Sequence, residues 1–392
     1  MCILDKWPIL VLLIGSTVIC QEYDYAEYDT GTDALPEHEF LAPQPSEYVD
    51  PQIFYTNECA SECFCPPAYP FAMYCDHRKL KAIPGIPRHI RHLYIQFNDI
   101  EEITVKPFAN STSLREINLS HNKLKSALVE RGVFAKLSDL IELHLEHNDL
   151  EEVPPSLPKT IQRLYMGFNR ISKVSADTMK GLSSISILDL CNNRLTDAGV
   201  KGKILSGMKN LQQITMCGNK LKSMPSDLPT SVLQLSLENN SIASIPEGYF
   251  RKTPHLMSIR LSYNKLKSVP YTVFNLSNLM ELNLGHNQLS RAFFIPKTLE
   301  HLYINHNDFK DVNVSLMCPS LDQNDANKLT YIRLDNNMLK GHVDYYVYRC
   351  FPQIQIIFYG EQMKVDTLPK KPEKPMMKRK NEVNKAFEKE DY

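Results

Sequence analysis

Ten cysteines stand in the 392 residues. Four crowd together as Cys59-x3-Cys63-x-Cys65-x9-Cys75, two stand far downstream at Cys318 and Cys350, and Cys191 and Cys217 lie between. Thiols pair where the compartment is oxidising. Residues 1–20 carry a charged start (Asp5, Lys6), an apolar run from Ile9 to Ile19, and Val18 and Cys20 at positions acceptable for cleavage before Gln21. That is the pattern of a secretory signal peptide, too short for a membrane anchor. No later stretch reaches the roughly 18 apolar residues of a membrane helix. The expectation is a secreted, extracellular chain with no membrane insertion. The four clustered cysteines allow three pairings, which the residues themselves leave open. Cys191 and Cys217 are expected as two reduced, half-buried thiols, because side chains projecting in parallel from neighbouring strands meet poorly.

Other chemistry-bearing residues fall into groups. Between Gln21 and Glu58 there are ten Asp or Glu and no Lys or Arg, with Pro36, Pro43, Pro45 and Pro51. This composition cannot bury a core and predicts a disordered arm. Its Tyr23, Tyr25 and Tyr28 alternate with Glu22, Asp24, Glu27 and Asp29, an arrangement suited to tyrosine sulfation. Asn-x-Ser/Thr sequons at Asn110, Asn118, Asn239, Asn275 and Asn313 are candidate glycosylation sites. His121, His147, His286 and His306 invite a metal reading, but strand spacing is expected to spread them apart. No G-x-S-x-G, H-E-x-x-H or P-loop pattern occurs. No catalytic set, metal site or cofactor is predicted, no nucleic-acid partner either, and an enzyme is not expected.

The frame that must position these groups is a repeat. Copies such as LREINLSHNKL at 114–124, LIELHLEHNDL at 140–150 and LMELNLGHNQL at 279–289 place an asparagine at 98, 122, 148, 169, 193, 219, 240, 264, 287, 307 and 337. The steps are 24, 26, 21, 24, 26, 21, 24, 23, 20 and 30 residues, which is leucine-rich-repeat spacing. A single copy cannot bury its apolar face, so copies stack and share one core. Period-two alternation turns the leucines of L-x-L inward and the intervening residue outward. The recurrent Asn, with two amide donors and an acceptor, suits the buried polar groups of the turn.

The predicted fold is an α/β leucine-rich-repeat solenoid, a curved right-handed superhelix with a parallel β-sheet on its concave face and disulfide caps at both ends. Eleven strands make a sheet on the order of 50 Å across. Outward residues from His92 and Tyr94 to Tyr331 and Arg333 line it, a surface suited to an extended macromolecule. The divisions are the signal peptide 1–20, the acidic arm 21–58, a Cys-rich cap 59–92, repeats 93–362 and a Lys/Pro-rich tail 363–392. The net charge of −1 conceals an acidic arm on a basic body, since residues 59–360 hold 34 basic against 27 acidic residues. In the tail, Lys378-Arg379-Lys380 is a run suited to sulfated sugars.

The cysteine cluster, the 21/24/26 steps, the acidic tyrosine arm and the 30-residue step from Asn307 to Asn337, with Cys318 and Cys350, together resemble the class II small leucine-rich proteoglycans. The resemblance covers about residues 57–362. It implies pairing of Cys59 with Cys65 and Cys63 with Cys75, a bridge Cys318–Cys350 across a C-terminal "ear" repeat, sulfated arm tyrosines, and keratan sulfate or plain oligosaccharides on the sequons. It implies fibrillar collagen as the partner, bound toward the C-terminal half of the concave face. There the candidate contacts are Glu281, Glu300, His301, Tyr303 and Arg333, with acidic groups facing the basic side chains of the collagen rod. The alternative reading is capture of basic growth factors by the acidic arm, or engagement of an integrin, although no RGD triplet is present. A mineral surface is a further candidate partner. One member of the class that this chain resembles ends in a long acidic C-terminal extension suited to mineral calcium, whereas residues 361–392 here hold nine Lys or Arg and seven Asp or Glu, so this role rests on the arm alone.

Overall fold

The computed structural model describes residues 58–318, 327–341, 343 and 345–363, all within one compact unit, Tyr55–Tyr392. Residues 1–57, with the expected signal peptide and the tyrosines Tyr23, Tyr25 and Tyr28, and residues 364–392 lie outside the described residues.

The alternating L-x-L segments form thirteen parallel strands of three residues in strictly sequential order. They are β1 Ala72–Tyr74, β2 His92–Tyr94, β3 Glu116–Asn118, β4 Glu142–His144, β5 Arg163–Tyr165, β6 Ile187–Asp189 and β7 Gln213–Thr215, then β8 Gln234–Ser236, β9 Ser258–Arg260, β10 Glu281–Asn283, β11 His301–Tyr303, β12 Tyr331–Arg333 and β13 Ile356–Phe358. In strands such as β3 and β4 the central residue, Ile117 or Leu143, is fully buried, while its two neighbours face out. Among the described residues, three short α-helices lie between strands: α1 Ala176–Met179, α2 Val314–Met317 and α3 Tyr346–Cys350. Phe108, Phe134, Phe250, Phe274, Phe293, Phe309 and Phe351 fill the core away from the sheet. Successive rings touch, Phe250 to Phe274 at 6.0 Å and Phe274 to Phe293 at 5.6 Å, so the apolar core is shared between coils.

Each repeat asparagine joins two coils. Asn219 donates from Nδ2 to the carbonyls of Leu190 (2.9 Å) in the preceding coil and of Met216 (3.1 Å) and Cys217 (3.0 Å) in its own. Its Oδ1 accepts from the Leu195 N–H at 2.9 Å. The same set recurs at Asn122, Asn148, Asn169 and Asn193. The residue before each asparagine takes a left-handed backbone, with φ from 50° to 57° at Phe97, His121, His147, Phe168, Asn192, Asn239, Tyr263, His286, His306 and Asn336. For non-glycine residues this conformation is costly, and the buried amide network offsets it at every coil.

The sheet exceeds the eleven strands read from the repeats because its outer strands lack the repeat's signature. β1 belongs to the N-terminal cap, where Tyr74 also forms an antiparallel bridge with Phe64. Beyond β13 the asparagine is replaced by Gln362, whose longer amide plays the same part. Its Nε2 donates to the carbonyls of Leu334 (3.2 Å) and Tyr359 (2.7 Å), and its Oε1 accepts from Leu339 N–H at 3.3 Å.

Disulfides close both ends. Cys59 joins Cys65 and Cys63 joins Cys75 at the first coil, and Cys318 at the end of α2 joins Cys350 in α3. A fourth bond, Cys191–Cys217, corrects the expectation of two reduced thiols. Stacking in register puts the two Cα atoms 4.4 Å apart, at the close end of disulfide geometry, each two residues beyond the end of adjacent strands β6 and β7.

The asparagine ladder makes a stability prediction. Asn219→Ala strands the Leu195 N–H and the carbonyls of Leu190 and Met216, and is expected to cost on the order of 3 kcal/mol in urea unfolding. Asn278→Ala, which removes only an exposed 3.4 Å bond to Pro254, is expected to stay within about 0.5 kcal/mol. Equal effects at the two positions would contradict the ladder's role.

Candidate binding face

The outward side chains of the strands form a continuous polar and aromatic surface, and neighbouring coils satisfy most of its charges internally. At its N-terminal section Glu116 Oε2 accepts from Tyr94 Oη at 3.1 Å and meets His92 Nδ1 at 2.9 Å. His144, on β4, is held between two carboxylates, with Nε2 3.0 Å from Glu142 Oε1 and Nδ1 3.1 Å from Glu146 Oε1. Arg163 Nε donates to the other oxygen of Glu142 at 2.7 Å, and Tyr165 stacks on the imidazole at 4.5 Å. Burial opposes a charge on His144, but the hydrogen bonds to Glu142 and Glu146 outweigh it and hold its pKa up at about 9. The ring is therefore an imidazolium at neutral pH, donating from both nitrogens.

In the centre the Cys191–Cys217 bond replaces charge. Beside it Asp189 accepts from the Cys191 N–H at 2.9 Å and from the Thr215 hydroxyl, and burial pushes its pKa up despite those bonds.

The C-terminal section contains the candidates for a partner contact. Strand register sets Glu281 beside His301, and Tyr303 beside Arg333. Four of the five candidates, Glu281, His301, Tyr303 and Arg333, are thereby gathered on adjacent strands. Glu300 stands one residue before β11, off the strand columns, and its carbonyl accepts from the N–H groups of Thr330 (2.9 Å) and Tyr331 (3.1 Å). Glu281 is no free anion. Arg260 donates to both its oxygens, Nε at 3.0 Å and Nη2 at 3.1 Å, and Ser258 Oγ donates at 2.9 Å. What faces outward here is aromatic: Tyr303 and Tyr331 lie 5.3 Å apart, His301 lies 6.3 Å from Tyr331, and Arg333 sits over the Phe358 ring at 5.5 Å while bonding Asp335 at 2.7 Å. Phe358, 46 % exposed, completes this patch. It was missed because its strand carries the irregular run IQIIFYGEQ rather than a repeat copy.

The four histidines expected to be spread apart are stacked instead. His121 and His147 lie 4.1 Å apart inside a five-ring ladder with His77, Phe97 and Phe168. His286 lies 3.8 Å from both Tyr263 and His306. The interstrand spacing of about 4.8 Å is itself close to a stacking distance, so a ring repeated at one position must stack. Burial lowers the pKa of His121 and His147, which favours neutral stacked rings. Among the described residues there is no group of three or more His, Cys, Asp or Glu side chains placed to hold a metal ion.

Of the sequons, Asn110, Asn239, Asn275 and Asn313 are exposed. Asn313 also caps α2 by accepting from Leu316 N–H at 3.2 Å. Asn118 projects from β3 onto the concave face, where its Oδ1 accepts from Ser120 N–H (3.0 Å) and Oγ (2.7 Å).

The His144 clamp makes a pH prediction. A rise from 6.5 to about 9 corresponds to about 3 kcal/mol at most. A raised pKa stabilises fully below 6.5 and is lost as pH climbs through 9. The stability difference between the native chain and His144→Gln should therefore be large at pH 6 and shrink toward pH 10 in urea unfolding. A difference that does not change with pH would contradict the clamp.

Comparison with known proteins agrees with this architecture. A leucine-rich-repeat family model matches residues 88–150, 159–221, 230–289 and 254–309. Osteomodulin from Bos taurus is 50 % identical over 357 residues, covering 90 % of this chain and 85 % of that protein, and osteomodulin from Rattus norvegicus is 52 % identical over 362 residues, covering 91 % and 85 %. Human keratocan is 42 % identical over 318 residues, covering 79 % and 90 %. Among solved structures, a chain of the octameric complex of Latrophilin 3, Unc5D and FLRT2 matches with a TM-score of 0.59 at 24 % identity, over 76 % of this chain and 82 % of that one. A Leptospira interrogans LRR protein matches at 0.60 and 22 %, over 72 % and 70 %; both share the fold. The chain belongs to the class II small leucine-rich proteoglycans, the extracellular-matrix family of osteomodulin and keratocan.

Proposed function

We propose that this is a secreted, non-enzymatic matrix protein that binds fibrillar collagen at the C-terminal end of its concave face and modulates fibril assembly. The observation that carries the reading is the rigid patch of Tyr303, Tyr331, His301 and Arg333 on adjacent strands. Collagen is a stiff rod of polyproline-like chains, and aromatic rings held on a fixed scaffold pack against such chains at little entropic cost. Glu281, neutralised by Arg260, is a positioning group that orders the neighbouring strands, and Glu300 supplies negative charge at the margin. The exposed sequons and the arm tyrosines Tyr23, Tyr25 and Tyr28 are the proposed sites of glycosylation and sulfation. Capture of basic growth factors by the arm is the second reading, favoured by its ten acidic residues without a basic one; integrin and mineral contacts have no support beyond that charge.

Binding to reconstituted collagen fibrils tests the proposal. Tyr303→Ala/Tyr331→Ala is expected to weaken binding by ~30-fold, as loss of a buried aromatic anchor does, with Glu281→Ala/Glu300→Ala weaker in effect. Deletion of residues 21–58 should leave collagen affinity intact while abolishing capture of a basic ligand. Undiminished collagen affinity in a folded tyrosine variant would reject the site.

A further inference from the structure

Two columns of side chains run along the flank of the solenoid just after the repeat asparagines, one and three residues beyond each. Their alignment is enforced by coil-to-coil bonds from Lys123 N–H to Ile100, Asp149 to Leu124, Arg170 to Leu150, Arg194 to Ile171, Lys220 to Leu195, Ser241 to Leu221 and Lys265 to Ile242, all between 2.7 and 3.0 Å. In the first four coils the columns alternate in sign: Asp99 and Glu101, Lys123 and Lys125, Asp149 and Glu151, then Arg170 and Ser172. The charges pair across coils, Lys123 with Asp99 at 2.6 Å, Lys125 with Glu101 at 2.6 Å and Arg170 with Asp149 at 2.7 Å.

The next four coils break that pattern. There the columns read Arg194 and Thr196, Lys220 and Lys222, Ser241 and Ala243, Lys265 and Lys267. These five cations are exposed, and none makes an ion pair among the described residues. The one carboxylate among them, Asp197, accepts from the N–H groups of Lys222 (2.8 Å) and Ser223 (3.4 Å) and from Ser223 Oγ (2.9 Å), and it offsets the Lys222 charge in part. The ring ladder is interrupted over the same coils, where Asn192, Gly218 and Asn239 take the ring positions. Arg194 and Lys220 stand on adjacent coils, and the uncharged Ser241 and Ala243 separate Lys220 and Lys222 from Lys265 and Lys267; a fold that pairs the same columns across its first coils leaves these five cations without an ion pair among the described residues.

We propose that this flank, Arg194, Lys220, Lys222, Lys265 and Lys267, binds a sulfated glycosaminoglycan. A linear chain with a sulfate or carboxylate at nearly every sugar can meet cations presented at successive coils along one flank, and its bound counterions are released on contact. A disulfide-bonded chain belongs to the oxidising space where such polysaccharides occur. The stripe lies outside the concave columns, so it does not compete with the proposed collagen patch. Asn239, a sequon, stands between the two lysine pairs, and a glycan there would shield part of the row.

The test is heparin binding by the full-length protein across a salt series, with Asn239→Gln material run in parallel. Lys220→Gln/Lys222→Gln/Lys265→Gln/Lys267→Gln is expected to lose ~tenfold or more in affinity, and its log–log salt slope to flatten by roughly one for each lysine that touches the chain. Lys123→Gln/Lys125→Gln, which removes paired lysines, should bind heparin as the native chain does. All these side chains are exposed, and an unchanged thermal midpoint verifies folding. Three outcomes would overturn the proposal: unchanged heparin affinity in the quadruple variant, loss of binding only when Lys378, Arg379 and Lys380 are changed to Gln, or equal affinity for polyglutamate and heparin, which would mean an acidic polypeptide is the ligand.

Discussion

Each coil is held to the one before it by a carboxamide that donates to carbonyls on both sides of the gap and accepts an N–H from the earlier coil. The bonds are buried, so a missing partner leaves polar groups with no water to replace it. Leucine packing makes stacking favourable, but apolar contact is non-directional and would tolerate a slipped register. The amide fixes pitch and register together, and every surface property of the molecule is downstream of that pitch.

Fixed pitch makes any residue repeated at one position into a row. Where the row is aromatic, rings stack at 3.8 to 4.5 Å. Alternating charges in a row pair, as Lys123 does with Asp99, and two thiols in a row close into Cys191–Cys217. Five cations in a double row remain open and attract an anion. The concave face obeys the same rule: most of its acids are spent on nearby side chains, as with Glu142 between His144 on its own strand and Arg163 one coil on. The outward tyrosines near the C-terminal end are left as the groups with surface to offer.

Much of this was legible in the residues. The leucines, the asparagine ladder, the sequential parallel sheet and the disulfide-bonded ends follow from spacing and from the family resemblance. What was not legible depends on distances between coils. His121 and His147, 26 residues apart in sequence, read as spread apart, yet the pitch that separates their coils is itself a stacking distance, 4.1 Å between the rings. The same pitch made Cys191 and Cys217 bond although parallel projection argued against it. Glu281 reads as a free acid in sequence, since Arg260 lies 21 residues away and becomes its neighbour only through strand register. Gln362 carries an asparagine's role on one extra methylene, so the repeat pattern does not mark it.

The central claim is that function lies in the outward rows near the C-terminal end while the inward residues are scaffold. Hydrogen–deuterium exchange of the full-length protein, alone and on collagen fibrils, tests it most directly. Protection gained by peptides spanning β11 and β12, with β2 to β5 unchanged, is the predicted result. Protection confined to the N-terminal coils or to the flank, with none at β11 and β12, would contradict it.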